Sequence, residues 1–277
     1  MSHDPRTTLA RPDLADRRLE GLVRAARYAE THPLTCVAPA SAVRTAPDET
    51  AGQEDQLLYG ETFEVLDEAG GWAWGQARRD GYVGHVRMSD LAEPGDAPTH
   101  WVCAVRTIAY ARPDFKAPTL AFLSMNSLVT ADSRDGRFVK VPDLGWILHG
   151  HLSPIGRFET DPAAAAIRFV GAPYQWGGRE SLGVDCSGLV QQAFHACGRG
   201  CPRDADQQAA LGREIAAADL RRGDLVFWSG HVGMMVDADR IIHANSHHMA
   251  VEIEDYAQAA ARIERSGVGR PIAYRRP

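Results

Sequence analysis

The strongest chemical signal in this chain of 277 residues is a cysteine at the head of an apolar helix stripe. Counting from Cys186, the apolar residues Leu189, Val190, Ala193, Phe194 and Cys197 fall at i+3, i+4, i+7, i+8 and i+11, the spacing of one helix face. Gly198 supplies a stop signal. The spacing predicts that Cys186 occupies the first turn. There, unpaired amide N–H groups and the positive end of the helix dipole favour a thiolate, the nucleophilic form of cysteine. A thiolate within reach of an imidazole is the equipment of a covalent hydrolase.

Two histidines sit on segments that can bring them to such a sulfur. Leu225–Trp228 is a short apolar run, Ser229-Gly230 reads as a tight turn, and His231–Val236 and Arg240–Ala244 follow, so the region is expected to form an antiparallel meander. His231, Gly233 and Met235 share one face of the second run, and Ile241 and His243 share one face of the third. Adjacent antiparallel strands bring such side chains into contact. One imidazole then orients the other, as the third member of a catalytic triad orients its base.

Six blocks, taken together, carry a resemblance. They are Pro173-Tyr174-x-Trp176-Gly177-Gly178, Asp185-Cys186-Ser187-Gly188, Pro202-Arg203-Asp204-x-Asp206-Gln207-Gln208, Gly223–Trp228, Gly230-His231-Val232-Gly233 and Ile242-His243-Ala244. In this order they resemble the NlpC/P60 cell-wall cysteine peptidases. The resemblance implies a papain-like α+β fold with Cys186 as nucleophile, His231 as general base and His243 as its orienting partner. Tyr174 falls on the oxyanion side, beside the cysteine's own N–H. No metal or organic cofactor is implied.

The N-terminal half has another texture, with short β-type runs and turn signals. Leu57–Leu66, Gly71–Gln76 and Gly81–Val86 form one set. Thr119–Leu123, Ser127–Thr130, Arg137–Val141 and Gly145–His149 repeat that order loosely. The Gly-Trp and Asp-Gly-Tyr pattern around Trp72 and Tyr82 resembles bacterial SH3-like domains. The expected architecture is therefore α+β: an arm, helical by the spacing of Leu14, Leu19, Leu22, Val23 and Ala26, over 1–32; SH3-like β-barrels over 33–95 and 96–155; and the papain-like catalytic domain over 156–277. Asp161 and Pro162 mark the first helix of that domain as N-cap and first helical residue.

Two SH3-like domains before the peptidase resemble a subgroup that recycles free murein peptides. Its members cut the γ-D-glutamyl–diamino acid bond of L-Ala-γ-D-Glu-diamino acid peptides whose N-terminal alanine is free. In that subgroup the first SH3-like domain overhangs the cleft, and a carboxylate pairs with the substrate ammonium. A substrate without the ammonium leaves that charge unpaired, which discriminates strongly. The candidates are Glu61, Tyr82 and Asp185, while Ser187, Arg203 and Asp204 match positions on the D-glutamate side. Ala205 stands where the family often carries serine, which removes one donor. An amidase or acyltransferase of the same fold acting on wall or lipid, and a wall-binding adaptor, are the other classes open to this sequence.

Composition narrows the partners. Hydrophobic content of 44% and charged content of 24% are those of a globular protein, and the net charge of −6 argues against nucleic acid or an anionic membrane surface as partner. No run approaches the ~20 apolar residues needed to span a bilayer. Met1–Pro12 has no apolar core of a secretory leader, so a cytoplasmic location is expected. Five cysteines, an odd number, fit a reducing compartment. His195, Cys197 and Cys201 give too few ligands for a closed zinc site, and Cys186 and Cys197 stand about 16 Å apart on a helix of 1.5 Å rise. Cys36, Cys103 and Cys197 are expected to be small buried hydrophobes.

Overall fold

The computed structural model describes residues 3–277 and divides into two compact units, the first ending at Ile155 and the second running from Gly156 to Pro277. Met1 and Ser2, part of the expected arm, lie outside the described residues.

The first unit holds two β bodies, each around its own apolar core. One gathers Leu34, Val43, Leu57, Phe63, Val65, Tyr82 and Val86. Its seven-stranded sheet runs, in spatial order, Gln53–Leu58, Ala40–Arg44, Val83–Arg87, Trp72–Ala77, Thr62–Ala69, His32–Cys36 and Leu91–Ala92. Alternation does the work: in Ala40–Arg44 only Ser41 and Val43 are buried, as a strand with one covered face requires. The second core gathers Val102, Ala109, Leu123, Val129, Val139 and Ile147 beneath a three-stranded and a five-stranded sheet. The two β bodies meet directly. Leu128 N–H donates to Tyr59 O at 2.8 Å, Tyr59 packs on the second core, and a Cβ on Gly60 would lie 2.1 Å from Leu128 O.

The N-terminal segment corrects an expectation. Among its described residues there is no α-helix: Leu14–Asp16 pairs in parallel with Arg27–Ala29, and a short 3-10 turn covers Arg17–Leu19. The helical stripe fails because Gly21 turns at φ +81° and Leu22 is 65% exposed. Leu9 and Leu14 instead pack on Leu66 and Trp74, with the Arg11 guanidinium 4.1 Å above the Trp74 ring.

The second unit sets helices against an antiparallel sheet. Helix α1 covers Pro162–Ile167, with Asp161 Oδ1 accepting from the Ala163 and Ala164 N–H groups. Helix α2 covers Cys186–Ala196, α3 Ala205–Gln208 and α4 Tyr256–Arg265. The six-stranded sheet runs Arg213–Glu214, Ala273–Arg276, Leu225–Trp228, His231–Met235, Arg240–Asn245 and Ala250–Asp255. Every residue of α2 is buried, so the helix lies inside the unit and its head is fixed by packing. The hairpin before His231 uses a two-residue loop, Ser229-Gly230, with Gly230 at φ +70°. Among the expected apolar cysteines, Cys36 is buried but Cys103 and Cys197 are only half-buried, because Cys103 sits at the edge of its β body and Cys197 caps the C-terminus of α2. No helix among the described residues is long and apolar enough to cross a membrane.

Candidate active site

Asp185 fixes the nucleophile's helix. Its Oδ1 accepts the Gly188 N–H at 2.7 Å and its Oδ2 the Gly177 N–H at 2.8 Å, so one carboxylate caps α2 and pins the Tyr174–Gly178 loop beside it. Arg203, 1% exposed, clamps the same carboxylate from behind: Nη2 donates to Oδ2 at 2.5 Å and Nη1 to Oδ1 at 3.0 Å. Nη1 also donates to Ser187 Oγ at 2.9 Å. Gly188 permits this closeness, since a Cβ there would lie 2.2 Å from Gly178 O.

Cys186 is the first residue of α2 and 6% exposed. Its sulfur lies against the strand that carries His231, where it takes a backbone hydrogen bond from Val232, and it takes another from Ser187. The sequence led us to expect a thiolate. Burial instead pushes the thiol up to about 12, and the Asp185 carboxylate adds to the rise; the two amides and Arg203 oppose it without prevailing. The helix terminus is thus outweighed by desolvation and a neighbouring anion.

His231 and His243 meet as their strands predict. His231 Nε2 and His243 Nδ1 are 2.8 Å apart, with ring centroids at 5.0 Å. Gly233 makes the contact possible. A Cβ on it would come within 2.6 Å of Ile241 Cδ1 and 3.3 Å of His243 Cβ. Burial, and then the neighbouring His243 ring, lower His231 to about 3, so its ring rests neutral.

A fourth member is absent from the sequence reading. His243, fully buried, places Nε2 2.9 Å from Glu254 Oε1 on the Ala250–Asp255 strand. Arg262 of α4 holds the same carboxylate, its Nη2 at 2.6 and 2.7 Å from the two oxygens. Burial works to raise the Glu254 pKa, but the hydrogen bonds of His243 and Arg262 and the Arg262 charge hold it down to about 2. An ionised carboxylate only accepts, so His243 Nε2 donates to Glu254. With one proton on each ring, His243 Nδ1 then accepts from His231 Nε2–H, which leaves His231 Nδ1 as a lone pair. The protons are assigned from this network. His248 also approaches Glu254, its Nδ1 lying 3.3 Å from Oε1.

Tyr174 is half-buried. Burial first, then the charges of Cys186 and Asp185, push its hydroxyl above the ordinary tyrosine value, so it stays a donor near the sulfur. Together with His231 and His243 it lines a cleft of about 360 Å³ in this unit.

The residues expected to bind substrate have partners inside their own units. Glu61 is buried, with Oε1 taking Arg79 Nη1 at 2.8 Å and Oε2 the Leu58 N–H at 3.1 Å. Tyr82 belongs to the first apolar core. Asp185, Ser187 and Arg203 form the buried clamp described above. Asp204 is the N-cap of α3, its N–H donating to Gln207 Oε1 at 3.4 Å.

Comparison with known proteins gives the same outline. Residues 171–265 match the NlpC/P60 family, and residues 43–91 match the bacterial dipeptidyl-peptidase Sh3 domain. The chain is 28% identical over 221 residues to a gamma-D-glutamyl-L-lysine dipeptidyl-peptidase of Bacillus subtilis, covering 72% of this chain and 75% of that protein. It is 23% identical over 224 residues to dipeptidyl-peptidase 6 of Lysinibacillus sphaericus, covering 72% and 82% respectively. In fold it matches the crystal structure of an NlpC/P60 family protein from Bacillus cereus, with TM-score 0.76 and 21% identity over 88% of this chain and 99% of that one. A cysteine at a helix head and a bonded His231–His243–Glu254 series, within these matched residues, mark the second unit as carrying an NlpC/P60 cysteine peptidase domain, with a bacterial SH3 domain ahead of it in the chain.

Proposed function

We propose that the protein hydrolyses the γ-D-glutamyl–diamino acid bond of murein peptides bearing a free N-terminal L-alanine, in the cytoplasmic recycling of cell-wall peptides. The observation that carries the reading is Cys186 against the strand of His231, together with the bonded series His231, His243 and Glu254. It supplies a nucleophile, a base with a free lone pair and an anion to steady the charge that the base acquires. The name of the Bacillus subtilis relative supports the γ-D-glutamyl linkage.

The resting site holds a neutral thiol and a neutral imidazole, so proton transfer belongs to the attack itself. His231 Nδ1 takes the thiol proton as the sulfur adds to the γ-carbonyl carbon of D-glutamate. The Cys186 N–H, with no helix carbonyl behind it, and the Tyr174 hydroxyl hold the oxyanion, each donor lowering the barrier by about 3 kcal/mol in comparable sites. His231 then gives its proton to the amine of the departing diamino acid. In the second half-reaction it takes a proton from water, which releases the L-Ala-D-Glu acid and restores the thiol. The requirement for a free alanine amine follows the resemblance, and recognition of the D-glutamate carboxylate is assigned to the neighbourhood of Ser187, Arg203 and Asp204.

The test incubates wild type and Cys186→Ala with L-Ala-γ-D-Glu-diamino acid and with its N-acetylated form, with products followed by mass spectrometry. The reading expects cleavage of the free-amine peptide alone, lost in the variant. Equal cleavage of both forms keeps the peptidase and removes the requirement for a free amine. No cleavage of either by wild type overturns the substrate.

A further inference from the structure

The cleft beside His231 opens onto hydrogen-bond donors that have no acceptor. None of the residues lining it is an aspartate or glutamate, whereas Asn245, Ser246, His247 and Arg262 line it alongside Tyr174 and His231. Asn245 is 6% exposed. Its Oδ1 accepts the His248 N–H at 2.9 Å, which fixes the orientation of the amide, because an amide nitrogen cannot accept that bond. Asn245 Nδ2 is then a buried donor without a partner among the described residues. Arg262 adds more donors: only its Nη2 meets Glu254, and its Nε and Nη1 make no hydrogen bond among the described residues. A buried donor such as Asn245 Nδ2 is normally satisfied, and with the partly exposed Arg262 beside it the acceptor missing here is one a ligand brings.

The position of the cleft indicates which part of the ligand that is. On the reaction proposed above, and resting on it, His231 protonates the departing amine, so the leaving residue lies on the His231 side of Cys186. We propose that this cleft binds a carboxylate of the departing diamino residue, held by Asn245 Nδ2 and Arg262. The carboxylate has two sources. It is the α-carboxylate of a C-terminal residue, which lysine and diaminopimelate share, or it is the side-chain carboxylate that diaminopimelate alone carries. An ammonium from a lysine side chain finds no carboxylate on the cleft wall.

The experiment compares kcat/KM for L-Ala-γ-D-Glu peptides ending in L-lysine or meso-diaminopimelate, each as the free acid and as the α-amide. Loss of the bound carboxylate is expected to lower kcat/KM by about 10- to 100-fold, the worth of hydrogen bonds to a charged group. Amidation lowers both peptides if the α-carboxylate is read. Lysine falls behind diaminopimelate in both forms if the side-chain carboxylate is read. In Asn245→Asp, Oδ1 still accepts the His248 N–H while an acceptor replaces the Nδ2 donor, so the preference should collapse or reverse. In Asn245→Ala it should shrink. Each is a ratio within one variant, so a general loss of turnover cancels. Cleavage of all the peptides by wild type at rates equal within about twofold overturns the proposal. So does a preference for the lysine amide, or a ratio unchanged in both Asn245 variants. Cleavage of none of them removes the substrate reading, and this inference with it.

Discussion

Arg203→Met tests whether the nucleophile's helix is held by a buried ion pair. The substitution removes a guanidinium 1% exposed that makes two bonds to Asp185, at 2.5 and 3.0 Å, and one to Ser187 Oγ at 2.9 Å. Breaking such a pair from one side costs about 3–5 kcal/mol, chiefly through the buried charge left behind. Asp185 retains the Gly177 and Gly188 N–H groups, so the lower end, about 3 kcal/mol, applies here. Asp185→Asn instead removes the charge that faces the guanidinium and should cost about as much. In the double variant neither charge is left unpaired, so its cost should fall below the sum of the singles by about 2 kcal/mol or more. Hydrogen exchange read on α2 peptides gives the local opening free energy without requiring both units to unfold together. Turnover should fall in parallel, since Cys186 heads that helix. If Arg203→Met leaves α2 protection within about 1 kcal/mol of wild type while raising KM, the arginine serves the substrate directly and the clamp reasoning is wrong.

Three other perturbations read the relay and its head. Glu254→Gln removes the anion behind His243 and should lower kcat about tenfold. Because that anion favours protonated His231, the acid limb of the pH–rate profile should move to lower pH, and an upward movement would contradict the relay. Alkylation of Cys186 by iodoacetamide should keep rising with pH beyond 9 without a plateau near neutrality. A thiol raised from 9.0 to about 12 has a thiolate fraction about a thousandfold smaller at pH 7, whereas a neutral plateau would mean a resting ion pair. Gly188→Ala drives a Cβ against Gly178 O and should destabilise the catalytic unit by about 2 kcal/mol, so an unchanged melting temperature would refute that close approach.

The site was legible where its chemistry follows local rules. The apolar stripe from Cys186 gave a helix whose first residue is that cysteine, and the alternation of His231 with Gly233 and of Ile241 with His243 gave facing imidazoles. Local rules misled where the environment decides. The helix dipole argued for a thiolate, but it acts over one turn, whereas the thiol is buried beside Asp185. The stripe from Leu14 to Ala26 has helical spacing, but Leu9 and Leu14 find a better surface on Leu66 and Trp74 as an extended chain. Glu254 shows the harder limit. The strand register sets Glu252 opposite His243, and Glu254 opposite Ile241. The neighbour in register would have been the natural choice. It is the diagonal glutamate that bonds the ring, because Arg262 on the following helix holds its carboxylate there. A side chain chosen by the meeting of a strand and a helix leaves no periodic trace in either. The relay's anion therefore had to be found in three dimensions, and the variants at Glu254 and Arg203 separate what the fold contributes to this site from what the sequence motif contributes.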